Sequence, residues 1–104
     1  MAVVEYIRYA LDRHSGEELL AAYGEAEAQL RASPHTLGWE LARCVDEPDR
    51  FILRIEWDSA EGHITGFRKG EHFPPFLKAI RPFVGEIEEM RHYETTAVRS
   101  QREA

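Results

Sequence analysis

Hydrophobic positions along this chain switch repeatedly between a period of two and a period near four. Residues 3–11, VVEYIRYAL, alternate Glu5, Ile7, Tyr9 and Leu11 with Val4, Tyr6, Arg8 and Ala10. β-branched and aromatic types dominate and neither set is wholly polar, so a strand covered on both faces is expected. Ser15 and Glu18 then form a capping box, in which hydroxyl and carboxylate satisfy free backbone N–H groups reciprocally. Leu19, Tyr23, Ala26 and Leu30 follow at helical spacing until Ser33-Pro34, which predicts a helix over 16–32.

A second strand is expected from Thr36 to Val45 and a third over 51–57, FILRIEW, joined across the turn cluster DEPDR as a hairpin. Ser59 can cap a helix running to about Lys69, with Ile64 and Phe67 on its buried side. Gly70 interrupts it. A second helical piece starts near His72, where Pro74 and Pro75 fit only a first turn, and carries Phe76, Leu77 and Ile80 as its stripe up to Pro82. The last strand is expected over Glu86 to Glu94, with Ile87, Met90 and Tyr93 as its apolar members. The order β-α-β-β-α-β is the split ferredoxin-like arrangement, an α+β fold with an antiparallel sheet and both helices on one face. The uncovered face still carries large apolar side chains, which predicts an isologous homodimer. Residues 1–94 form the domain. Residues 95–104 lack a core pattern and are expected to be a flexible or partner-contacting tail.

Composition narrows the functions. With 104 residues there is room for one core. The formal charge of −6 argues against nucleic-acid partners. One cysteine, Cys44, leaves no internal disulfide or metal-type Cys pair. The opening MAVVEYIRYALDRHSG is too short and too charged for a signal peptide, and no apolar run reaches membrane length. A cytoplasmic, soluble protein without a membrane partner is therefore expected.

Motifs of nucleophilic catalysis and phosphate binding are absent. Ser15 and Ser59 read as caps, Cys44 reads as core, and Gly62, Gly66 and Gly70 recur every fourth residue in a polar helix, where they allow close approach to a sheet or a ligand. His14, His35, His63, His72 and His92 show no metal-binding spacing, so no metal is expected. Haem stays open as an alternative cofactor, because an axial histidine needs no motif. The informative stretch is 57–83, which concentrates Trp57, Phe67, Phe73, Phe76 and Phe83 around His63 and His72. It reads either as a small core with two surface histidines or as an apolar small-molecule pocket with a few polar groups. Arg8 and Arg54 fall inside strands; either they pair across strands, or one faces a cavity and holds an anion.

The run IEWDSAEGHITGFRKGEHFPPF resembles the antibiotic biosynthesis monooxygenase (ABM) domain family, through Trp57, Ser59, Glu61, Gly62, His63, His72 and Phe73. The likeness covers most of residues 3–94. It implies a dimeric α+β barrel of two sheets packed face to face, with a pocket between sheet and helices. Some members of the family oxidise aromatic phenols with O2 and no metal or flavin, because the deprotonated substrate is itself the reductant. On that resemblance the expected activity is a cofactor-independent monooxygenase of a phenol- or quinol-like molecule. Trp57 would be a pocket wall and hydrogen-bond donor, His63 or His72 the base, and Arg8 or Arg54 the group stabilising the anion. Tyr6, Tyr23, Phe67, Phe73 and Phe76 would line the substrate cavity. A haem-degrading branch uses an Asn, a Trp and a His ligand. Trp57 matches its Trp, but the first strand offers no Asn, and that branch's His lies further along the second helix than His72. The third reading is a non-catalytic dimeric binding module.

Overall fold

The alternating runs form four strands: β1 (Val3–Ala10), β2 (Thr36–Arg43), β3 (Arg50–Trp57) and β4 (Ile87–Glu94). In the computed structural model, which describes residues 2–100, they lie in the order β2-β3-β1-β4, and every neighbouring pair is antiparallel. Two helices, α1 (Gly16–Ala32) and α2 (Phe73–Ile80), run side by side and cover one face. This is the ferredoxin-like α+β fold. No helix among the described residues is long and apolar enough to cross a membrane.

Local chemistry explains the helix limits. Ser15 accepts from the Glu18 N–H, and the Glu18 carboxylate accepts from the Ser15 N–H, completing the capping box. Leu19, Tyr23, Ala26 and Leu30 of α1 are buried on the sheet, and the Tyr23 hydroxyl bonds to that of Tyr9. Burial drives the Tyr9 phenol up to about 12 and the Tyr23 phenol higher still, so both stay neutral.

Four expectations need correction. The strand β1 is not equally covered on both sides. Its set Glu5, Ile7 and Tyr9 is buried under the helices, whereas Arg8 on the other side is exposed. The helix expected from Ser59 to Lys69 is instead a short turn that widens into a π-helical segment, Gly62–Phe67. The strand β2 stops at Arg43, and a register shift between Thr36 and Gly38 turns Leu37 outward. Finally, β4 begins at Ile87, because Glu86 closes a 3-10 turn (Arg81–Glu86). A bulge opposite Arg8 and Tyr9 puts Ile87 and Met90 on the helix-covered face but Tyr93 on the other, edge-on to Tyr6.

Glu86 has a structural task that its position in the sequence does not suggest. Its Oε1 accepts from the backbone N–H groups of Asp12 and Arg13, each at 2.8 Å, and of His14 at 3.3 Å. Its Oε2 meets the His14 ring at 2.5 Å. The side chain is buried, which alone would raise its pKa. The His14 bond and the three backbone donors outweigh burial and hold the carboxyl down at about 2. The β1–α1 loop is thereby clamped to the entry of β4.

The clamp makes a pH-dependent contribution. The folded pKa lies below the ordinary carboxylate value of 4.5, so the stabilisation is present above that value and is lost as pH falls toward 2. Glu86→Gln should cost about 1.5–3 kcal/mol at neutral pH. Urea unfolding should show the gap between parent and variant closing on acidification; a gap independent of pH would contradict the clamp.

Candidate functional site

A cavity of about 150 Å³ lies between the sheet and α2, walled by β1, β3, β4, the π-helical segment and the 3-10 turn. Most of its surface comes from apolar and aromatic side chains, among them Ile7, Ile55, Trp57, Phe67, Phe73, Phe76 and Met90. Glu5, His63 and Arg68 are its ionisable lining residues. A dry, ring-walled space with a few convergent polar groups is what a small-molecule site requires.

The aromatic wall is built from edge-to-face contacts. The Phe67 ring stands nearly perpendicular to Phe73 and Phe76, with centroids 5.9 and 5.4 Å away, and lies 4.9 Å from Trp57. Arg68 places its guanidinium over Phe73, 6.0 Å from the ring centre. On the other side of the cavity α2 is short, and the break at Gly70 separates it from the π-helical segment. The sheet is therefore left partly unfilled beneath this helix.

At the polar end sits Glu5, a carboxylate only 3% exposed in the middle of an apolar strand face. Three rings surround it. The Trp57 indole N–H donates to its Oε1 at 3.2 Å. His63 brings Nε2 to 3.4 Å from Oε1, and His92 brings Nε2 to 3.4 Å from Oε2. His92 stands directly opposite Glu5 in the β1–β4 register. The His63 ring is stacked on Trp57 at 4.6 Å and lies 4.8 Å from His92. Burial raises the Glu5 carboxyl above its usual range, against the lowering pull of His92 and the Trp57 bond. Burial, with His92 and Arg68 close by, takes His63 down to about 4, so its imidazole is neutral at pH 7. His63 Nδ1 is buried without a hydrogen-bond partner.

The π-helical segment is what aims His63 inward, and glycine makes it possible. A Cβ on Gly66 would stand 2.3 Å from the His35 ring, and one on Gly62 would stand 2.1 Å from the Asp58 carboxylate. His35 and Asp58 are themselves bonded at 3.0 Å, which fixes the surface that the segment rests on. The close approach allowed by the repeated glycines is therefore to His35 and Asp58. The Ser59 hydroxyl caps the turn by accepting from the Gly62 N–H at 2.9 Å.

Of the residues singled out in the sequence, Trp57, His63, Phe67, Phe73 and Phe76 come together around the cavity. Tyr6, Arg8 and Arg54 lie on the opposite, uncovered sheet face. There Arg8 pairs with Glu88 and Glu89 and Arg54 with Glu56, while burial of Tyr23 places it in the core beside Tyr9. His72 bonds Gln29 of α1 at 3.1 Å and does not line the cavity. Sequence reasoning passed over Glu5 and Arg68, and it treated His92 as one isolated histidine. The available signal for Glu5 was its place on the buried parity of β1, a charge among Ile7, Tyr9 and Leu11.

Fold and site together define a ferredoxin-like scaffold with an aromatic-walled pocket between sheet and helix. The sequence model of the family described as antibiotic biosynthesis monooxygenase matches residues 2–79, and the chain belongs to that family. A Bacillus subtilis protein of uncharacterised function, YczJ, is 20% identical over 78 residues, spanning 75% of this chain and 82% of its own. Among solved structures, an antibiotic biosynthesis monooxygenase homologue from Bordetella bronchiseptica superposes with a TM-score of 0.75 at 20% identity, covering 91% of this chain and 97% of its own. SnoaB, a cofactor-independent oxygenase of Streptomyces nogalater, gives a TM-score of 0.73 at 17% identity with 98% of both chains covered. Likenesses at these identities show the shared fold.

The glycine contact yields a test. Gly66→Ala should destabilise the fold by about 1–3 kcal/mol, because the methyl group must displace a ring held by Asp58. Adding His35→Ala should recover most of that loss in thermal unfolding. An unchanged Tm in the single variant would show that the segment does not depend on this approach.

Proposed function

We propose that this protein is a homodimeric, cytoplasmic monooxygenase that oxidises a phenol- or quinol-like aromatic molecule with O2 and without a cofactor. The observation that carries the reading is the aromatic-walled cavity with a carboxylate and a neutral imidazole at one end. A volume of about 150 Å³ suits a single aromatic ring. Family membership supports the reaction class.

The substrate ring lies against Phe67, Phe73 and Phe76 with its hydroxyl toward Glu5 and His63. One of these two groups accepts the phenolic proton, and the phenolate then reduces O2. Atoms balance as phenol plus O2 giving quinone plus water, with all reducing electrons taken from the substrate. The protein's part is to orient the ring, exclude water and stabilise the anion. Trp57 acts through Glu5, since its N–H is already committed there, and so serves as a positioning residue. Arg68 provides positive charge at the cavity wall, the role first considered for Arg8 and Arg54. The uncovered sheet face, with Tyr6, Ile52 and Tyr93, is where two copies pack.

Oxygen uptake by metal-free protein, with a panel of single-ring phenols and quinols, tests the reading. Glu5→Gln or His63→Ala should lower kcat about 100-fold or more, while His72→Ala should leave it within about twofold. Parent-like turnover in both cavity variants would remove the base assignment, and no uptake with any of the panel would remove the oxygenase reading. Sedimentation should give the mass of two chains; a monomer would sink the dimer. A titration with haem that produced a saturable Soret band, lost in His63→Ala, would favour haem binding instead.

A further inference from the structure

We propose that Glu5, His63 and His92 form a binding site for one divalent first-row transition-metal ion. Their donor atoms come from β1, the π-helical segment and β4, and all lie within 4.8 Å of one another. Two imidazoles and one carboxylate are the donor set that suits iron, cobalt and zinc in the +2 state, with coordination positions left open.

The distances suit the ion. Metal–ligand bonds of about 2.0–2.2 Å put neighbouring donors of a tetrahedral ion about 3.4 Å apart. His63 Nε2 lies 3.4 Å from Oε1 and His92 Nε2 lies 3.4 Å from Oε2, so the two imidazoles meet the carboxylate at different oxygens. One carboxylate oxygen and the two imidazole nitrogens lie within 4.8 Å of one another, and the set can tighten from the His92 side. His92 is 37% exposed on an edge strand, whereas Glu5 and His63 are fixed in the interior.

Three further features belong to a metal site. The Trp57 N–H holds Glu5 by one oxygen, as an outer hydrogen bond orients a ligating carboxylate. His63 is 3% exposed and turns Nε2 toward Glu5, so this donor is already set in the interior. Glu5 and His63 both line the cavity, so the open positions of the ion face the space that takes the small molecule. Arg68 lines it too, and its charge lowers the affinity without removing a donor.

This proposal stands on donor geometry and not on the oxygenase reading. A bound ion would occupy the acceptor atoms of Glu5 and His63, so metal loading and cofactor-free turnover exclude one another.

The test is a Co²⁺ titration of chelator-treated protein, followed in the visible d–d region, with Zn²⁺ displacement and calorimetry for stoichiometry. One Co²⁺ per chain is expected in the micromolar range. His92→Ala, which removes a half-exposed side chain and should leave the fold intact by circular dichroism, should weaken binding at least about 10-fold. His72→Ala, which removes a histidine bonded to Gln29 outside the cavity, should leave it unchanged. No saturable band, an affinity unchanged in His92→Ala, or a band lost in His72→Ala would each overturn the site.

Discussion

Burying the Glu5 carboxylate beneath two helices is the constraint on which the site end of this molecule is arranged. A carboxylate in a dry interior costs several kcal/mol unless hydrogen bonds or opposite charge meet it. Here the partners are the Trp57 N–H on one oxygen and two imidazoles, at 3.4 Å from one oxygen each. Each partner comes from a different element, so β3, β4 and the π-helical segment must all be in register for the charge to be met. Packing and site geometry are consequently one problem. Slipping β4 by one residue would turn His92 to the far face and replace it with a side chain of the opposite parity.

The two halves of the helical layer divide the work. Under α1 the sheet is covered by Leu19, Tyr23 and Leu30, and the buried polar contact there joins the Tyr9 and Tyr23 hydroxyls. Under α2 the packing is left incomplete. The chain enters that helix through a widened turn, a glycine break and two prolines, and the helix is only eight residues long. Packing Gly62 and Gly66 tightly on His35 and Asp58 draws the segment toward one edge and leaves the aromatic-walled space beside it. Widened helical turns of this kind recur at functional sites because they re-aim a side chain at the cost of regular hydrogen bonding. Here the side chain re-aimed is His63.

Most of the scaffold was legible in the chain because it follows from short-range patterns. The capping box at Ser15 and Glu18, the α1 stripe and the β2–β3 hairpin each involve residues a few positions apart, and the element order follows from them. The concentration of aromatics between Trp57 and Phe83 likewise pointed to the cavity. Glu5 and His92 were not legible as a pair, because 87 residues separate them and only the β1–β4 register brings them together. The same holds for Glu86, whose three backbone N–H donors lie more than 70 residues upstream. Arg8 and Arg54 were candidates for the site by residue type, but strand parity puts them on the other sheet face. Parity could be assigned only once the helices were seen to cover the Glu5 side.

The most direct test of this account is a double-mutant cycle between Glu5→Gln and Trp57→Phe, read by equilibrium unfolding at pH 7. If the indole donor supports the buried carboxylate, the two losses should be strongly non-additive, with a coupling of about 1–3 kcal/mol. Additivity to within about 0.5 kcal/mol would show that Glu5 and Trp57 do not depend on each other, and the Glu5-centred site would have to be abandoned.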